Sequence, residues 1–164
     1  SRVDERKFQS LVVWFPLEDT NEKNGRLSVL RESHRNIVAW RRECAPGVPH
    51  YFPQFEEQIP TAVKEKYEVQ LNLRAGEAVF YDARLIHFSP RNQTDHTRLA
   101  VNVSFVPKEA PLVHSFRSDE STIDLLAIDS SFFTNHVIGE IPKGEKVGEV
   151  PFRFEILYPG FGDS

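Results

Sequence analysis

Apolar and polar positions alternate along most of this chain, with a dominant period of two. Leu11-Val-Val-Trp-Phe-Pro-Leu17 is a continuous apolar run of the length of a buried strand, with Pro16 tolerable only near its end or on an edge. The polar stretch Glu18 to Gly25 follows, and its closing Asn24-Gly25 is a strong turn signal, so Arg26 to Leu30 reads as the returning strand. Tyr67 to Leu73 places Tyr67, Val69, Leu71 and Leu73 on one face and Glu68, Gln70 and Asn72 on the other. Ala75-Gly76-Glu77 turns the chain into a strand from Ala78 to Tyr81, and Arg98 to Val106 alternates again. Several short strands joined by turns, with few helical stretches, predict a mainly β domain of sandwich or jelly-roll type.

Between the second and third of these strands lies Arg31 to Lys66, with Pro46, Pro49, Pro53 and Pro60 and the aromatics His50-Tyr51-Phe52 and Phe55. A loop of that length usually covers a site, and the aromatics argue for order. After Pro107 the pattern changes. Ser121 to Ile128 reads as a short strand, and Asp129 or Ser130 as the cap of a short helix from Ser131 to His136. The tail from Pro142 to Ser164 reads as irregular, except for Phe152 to Tyr158. A single domain over residues 1–164 is expected, with the β framework at about 10–107 and a C-terminal extension at about 108–164.

Composition narrows the class. At 40% apolar and 27% charged, the 164 residues suit one globular domain, and thirteen Phe suit a packed β core. A net charge of −4 gives no reason to expect nucleic acid or an anionic membrane as partner. No apolar run approaches a membrane span. Cys44 is the single cysteine, so no internal disulfide forms and a reducing, cytoplasmic setting is the expectation.

The candidate chemistry lies in Gly76 to Arg98. His87 stands eleven positions before Arg98, which heads the last alternating strand. A neutral imidazole binds transition metals, and an arginine fork holds a carboxylate with two hydrogen bonds. A lone strand histidine is more often structural. Here Ser89 shares its face in an extended chain, and Arg98, Ala100, Asn102 and Ser104 form one side of the last strand against Leu99, Val101, Val103 and Phe105 on the other. That places an arginine and amides toward an interior, with the apolar side packed on an outer layer. The alternative is an arginine in water on a half-exposed strand. His34 reads as structural, His50 and His96 as exposed loop residues, and His114 and His136 as outside any ligand spacing.

The order Trp14-Phe-Pro-Leu, Asp19, Asn24-Gly25, Ser33-His34, Gly76, His87-x-Ser89-x-x-Asn92 and Arg98 resembles the phytanoyl-CoA dioxygenase family over roughly Val12 to Pro107. The resemblance implies a cupin-like double-stranded β-helix that uses iron(II), 2-oxoglutarate and molecular oxygen to hydroxylate a small organic substrate, with release of succinate and carbon dioxide. In that comparison His87 matches the distal histidine of the iron site. Arg98 matches the arginine that pairs with the far carboxylate of 2-oxoglutarate, Ser89 the supporting hydroxyl, and Trp14 a tryptophan beside the co-substrate.

Two departures accompany the resemblance. The family's Pro-Gly-Ser-His turn is here Arg31-Glu32-Ser33-His34, which puts the shape of that turn in question. The family's His-x-Asp iron ligands are missing. Asp4 is the nearest carboxylate, and Arg2 stands where its histidine partner would be. The chain begins at Ser1 and contains no Met, so the pair is expected upstream of Ser1 in a longer parent. A cupin-like binding or inert domain, and a halogenase relative lacking the carboxylate, remain the alternative expectations.

Overall fold

A computed structural model describes residues 3–39, 59–117, 122–132, 145–151 and 154–156. Their contacts group into two compact units. One contains residues 11–36 and 59–105; the other contains the described residues of 3–10, 37–39 and 106–156. In chain order the elements are β1 (Leu11–Pro16), β2 (Leu27–Leu30), α1 (Ser33–Asn36), β3 (Ile37–Ala39), α2 (Thr61–Tyr67), β4 (Glu68–Leu71), β5 (Val79–Asp82), β6 (His87–Phe88), β7 (Ala100–Phe105), β8 (Val113–Arg117), β9 (Thr122–Ala127), β10 (Lys146–Pro151) and β11 (Phe154–Ile156).

The first unit is built from two antiparallel three-stranded sheets, ordered β5-β1-β7 and β4-β2-β6. The chain passes from the first sheet (β1) to the second (β2, β4), back to the first (β5), to the second (β6) and to the first again (β7). That winding is the jelly roll of a double-stranded β-helix. Period-two patterning decides which side chains meet inside it. Val12 lies opposite Tyr81 and Ser104, and Trp14 opposite Val79 and Asn102. Val12, Trp14 and Tyr81 join Leu27 and Val29 of the other sheet in one buried cluster, with Val69, Leu71, Leu73 and Ala100 packed against it. Leu27 and Leu30 are almost wholly buried; each contributes about 1.5–3 kcal/mol by leaving water.

The long turn after β1 is anchored at both ends. Thr20 donates its amide to the Leu73 carbonyl (2.8 Å), and its hydroxyl accepts from the Leu73 amide (2.9 Å). Asn24 closes the turn: its Oδ1 accepts from the Asn21 amide (2.7 Å) and its Nδ2 donates to the Asp19 carbonyl (2.9 Å).

In the second unit β8, β9 and β10 form an antiparallel sheet around Val113, Ile123 and Leu125, and β11 pairs with β3.

Four expectations need adjustment. Tyr67 ends α2 rather than opening a strand, although Val69, Leu71 and Leu73 share the inward face as their alternation requires. The covering segment is not loop at its ends, which are α1, β3 and α2; residues 40–58, with Cys44 and His50, lie outside the described set. The C-terminal extension is not irregular, because β10 completes a sheet. Its strand signal was masked by Gly148 and Pro151. A register shift between Lys146 and Gly148 absorbs the first, and Pro151 stands at the strand end. Asp129 does accept from the Ser131 and Phe132 amides (2.7 and 3.2 Å), as a cap would, but residues 133–136 lie outside the described set.

The fourth adjustment concerns the outer face of the β5-β1-β7 sheet. Leu99 (57% exposed), Phe105 (54%) and Phe80 (65%) stay open to solvent rather than packing beneath an outer layer.

Candidate functional site

The histidine is set by the turn that precedes it. Asp82 ends β5, and its Oδ1 accepts from the Arg84 amide (2.8 Å) and Nε (2.9 Å), while Oδ2 accepts from Nη2 (2.8 Å). The Leu85 amide donates to the Asp82 carbonyl (2.8 Å). This tight turn brings the Leu85 carbonyl to 2.9 Å from His87 Nδ1. A carbonyl only accepts, so Nδ1 carries the proton and Nε2 the lone pair. Backbone-held Nδ1–H with Nε2 directed elsewhere is the arrangement of a metal-binding imidazole.

The next link is Ile86. Its amide donates to the hydroxyl of Ser33 (2.8 Å), and its carbonyl accepts from the Leu30 amide (2.9 Å). Ser33 is completely buried. The residue before the histidine is therefore fixed on both sides. His87 lies opposite Val29 across β2 and β6, and Val29 is in the core, so the imidazole faces inward. Its ring lies tilted against Tyr81, with centroids 4.9 Å apart, so it rests on an aromatic wall.

Arg98 lies just before β7 of the facing sheet. The amide of the next residue, Leu99, donates to Glu18 Oε1 (3.0 Å), and the Leu99 carbonyl accepts from the Leu17 amide (3.0 Å). The half-buried Arg98 guanidinium lies over the Trp14 indole, 5.4 Å from the ring centroid, and Nε donates to the Asn24 carbonyl (3.3 Å). Among the described residues its two terminal nitrogens make no hydrogen bond. That is the state in which a guanidinium accepts a carboxylate bidentately. Ser89 is exposed and shares no hydrogen bond with Arg98 among the described residues.

Among the described residues His87 has its ring orientation fixed through Nδ1. No three His, Cys, Asp or Glu side chains gather into a metal cluster among them. Asp4 is occupied otherwise. Arg6 holds it in a fork, Nε to Oδ1 at 2.9 Å and Nη2 to Oδ2 at 2.7 Å, and this holds the carboxyl below its ordinary pKa. Of the other histidines, exposed His96 meets Glu18 at 3.2 Å, His114 lies on the Phe132 ring, and His136 is outside the described residues.

The sequence argument missed the Asp82–Arg84 turn, the Tyr81 wall and the reach of Ser33. The Asp-x-Arg spacing was the legible trace of the first. Ser33 meets Ile86 across 53 positions of chain, and no local pattern announces that.

Fold and site together define a jelly-roll protein in which a histidine of one sheet faces the core and an arginine just before β7 of the other lies over the buried Trp14. The sequence profile of the phytanoyl-CoA dioxygenase (PhyH) family matches residues 2–100, and the chain belongs to that family. The peroxisomal phytanoyl-CoA dioxygenase of Bos taurus is 26% identical over 123 residues, 71% of this chain and 34% of that enzyme. A crystal structure of SnoK, a non-heme alpha ketoglutarate dependent carbocyclase from nogalamycin biosynthesis, resembles the chain with a TM-score of 0.47 and 18% identity, over 88% of this chain and 48% of the carbocyclase. The chain thus spans less than half the length of either relative.

Proposed function

We propose that the natural protein carrying this chain is a non-haem iron(II)- and 2-oxoglutarate-dependent oxygenase that hydroxylates a small organic substrate, with release of succinate and carbon dioxide. The observation that carries this reading is the combination of His87, held through Nδ1 by the Leu85 carbonyl, with Arg98, which lies just before β7 of the other sheet, rests over Trp14, and makes no hydrogen bond through its terminal nitrogens among the described residues. Membership of the phytanoyl-CoA dioxygenase family supports it.

In this reading His87 Nε2 is one ligand of iron(II), and the bound metal supplies oxygen activation. Its other protein ligands are to be sought in a His-x-Asp pair encoded before residue 1. Arg98 holds the distal carboxylate of 2-oxoglutarate with its two terminal nitrogens, and the Ser89 hydroxyl supports that carboxylate. Trp14 and Tyr81 are both buried, the first beneath the Arg98 guanidinium and the second against the His87 ring. Orientation and exclusion of water are the protein's share of the chemistry.

The test is succinate release from 2-oxoglutarate by the natural protein under iron(II) and oxygen. His87→Ala should abolish turnover, because a facial site that loses one ligand holds its metal loosely. If the parent sequence carries no His-x-Asp, or if the variant releases succinate at the normal rate, the oxygenase reading falls and a cupin-like binding domain takes its place.

A further inference from the structure

The turn from Asn21 to Gly25 touches both halves of the site, although none of its side chains reaches the core space. The Asn24 carbonyl accepts from Arg98 Nε (3.3 Å). The Lys23 carbonyl accepts from the Gln93 amide (2.8 Å), which ties the turn to the segment leaving His87. Gly25 packs so tightly on that segment that a Cβ there would stand 2.7 Å from the Pro90 carbonyl oxygen. Gly25 also has φ +77, a conformation that side-chain-bearing residues rarely adopt. The contact is backbone against backbone, so no side chain can swing away to make room.

We propose that the Asn24–Gly25 turn is a positioning element for the co-substrate: it aims the Arg98 fork through the Asn24 carbonyl and sets how closely the Pro90–Gln93 segment lies beside it. This rests on the reading of Arg98 as the anchor of the 2-oxoglutarate carboxylate. Arg98 has three hydrogen-bonding nitrogens. Engaging Nε at the turn and the guanidinium face at Trp14 leaves one direction in which the two terminal nitrogens can present themselves. The Asn24 side chain, tied to the Asn21 amide and the Asp19 carbonyl, holds the carbonyl in place. Gly25 allows the turn to sit close enough for that carbonyl to reach Nε. A methyl group at residue 25 should lift the turn away from Pro90 and tilt the fork.

The experiment uses the natural protein and four variants: Gly25→Ala, Asn24→Ala, Arg98→Ala and the double variant Gly25→Ala/Arg98→Ala. Calorimetric binding of 2-oxoglutarate to the iron(II)-loaded protein and the split between KM for 2-oxoglutarate and kcat are read together. Gly25→Ala should weaken 2-oxoglutarate binding about tenfold, with a much smaller change in kcat, and Asn24→Ala should act in the same direction more weakly. On the Arg98→Ala background, Gly25→Ala should have no further effect on binding, since the turn acts through the arginine. A residue serving only the fold would instead lower kcat with KM unchanged, or add its full effect to that of Arg98→Ala, and either result overturns the proposal. Should Gly25→Ala fail to fold, Asn24→Ala decides. Failure of both to fold would make the turn a folding element and overturn it as well. If Arg98→Ala itself leaves binding unchanged, the fault lies with the co-substrate reading and the turn loses its object.

Discussion

Trp14 and Arg98, 84 residues apart in sequence, are stacked: the guanidinium carbon lies 5.4 Å from the indole ring centroid. The indole is buried, so the arginine that rests on it is held at the edge of the core and not in bulk water. A charge in that position is worth more to an anionic ligand than one on the surface. Arg98→Ala should therefore weaken 2-oxoglutarate binding by about 2–5 kcal/mol. Arg98→Lys keeps the charge but lacks both the planar fork and the Nε–H that meets Asn24, and should recover only part of the affinity. Half-saturation in the succinate assay checks both, and an unchanged affinity for Arg98→Ala would remove the residue from the co-substrate site.

The Leu85 carbonyl dictates the tautomer of His87. Nitrogen-15 NMR of the metal-free protein should show the neutral ring protonated at Nδ1. A ring protonated at Nε2 would be misaligned for metal binding through that atom, and would sink the ligand assignment whatever the activity.

Ser33→Ala leaves the Ile86 amide without its acceptor in a fully buried place. The expected loss is about 1–3 kcal/mol of stability, read from the urea midpoint. Because Ile86 adjoins His87, iron(II) affinity should fall as well. A variant with lower stability but unaltered iron affinity would confine Ser33 to the fold.

Glu32 adopts φ +62, in the left-handed region, where the family pattern has the glycine of Pro-Gly-Ser-His. A side-chain-bearing residue costs about 1–2 kcal/mol there, while glycine costs about 0.5–1 kcal/mol in extra chain entropy. Glu32→Gly should thus stabilise the protein by about 0.5–1 kcal/mol. A clear drop in thermal midpoint would show that the Glu32 side chain contributes more than its backbone costs.

Asp4 titrates below its ordinary value because the Arg6 side chain donates to both of its oxygens. The folded state therefore binds that proton less tightly than the unfolded chain. The stabilisation is fully present above the ordinary carboxylate pKa and is lost as pH falls through the lower folded value. In NMR titration Arg6→Ala should move the Asp4 pKa upward and leave no such acid-dependent increment. An unmoved Asp4 would assign the shift to another cause.

Much of the framework was legible because β structure writes its period into the sequence. The continuous apolar run Leu11–Leu17 and the alternation of Arg98–Val106 located β1 and β7, and Asn24-Gly25 located the return into β2. Sidedness was legible in part: Ala100 packs against the Trp14 cluster, whereas Asn102, opposite Trp14, is exposed. The tail was less so, since Gly148 and Pro151 depress strand propensity; a register shift against β9 absorbs the first, and the second stands at the strand end.

The sequence by itself determined where most strands of the β framework lie and the spacing of His87, Ser89 and Arg98, because patterning and turn residues act over a few positions. Tertiary structure alone decided the direction of each polar group. Which ring nitrogen of His87 is bound depends on a turn held by Asp82 and Arg84. The bearing of the Arg98 fork depends on a carbonyl 74 positions away and an indole 84 away. Hydrogen bonds are short and directional, and partners so distant along the chain meet only once the sheets have packed.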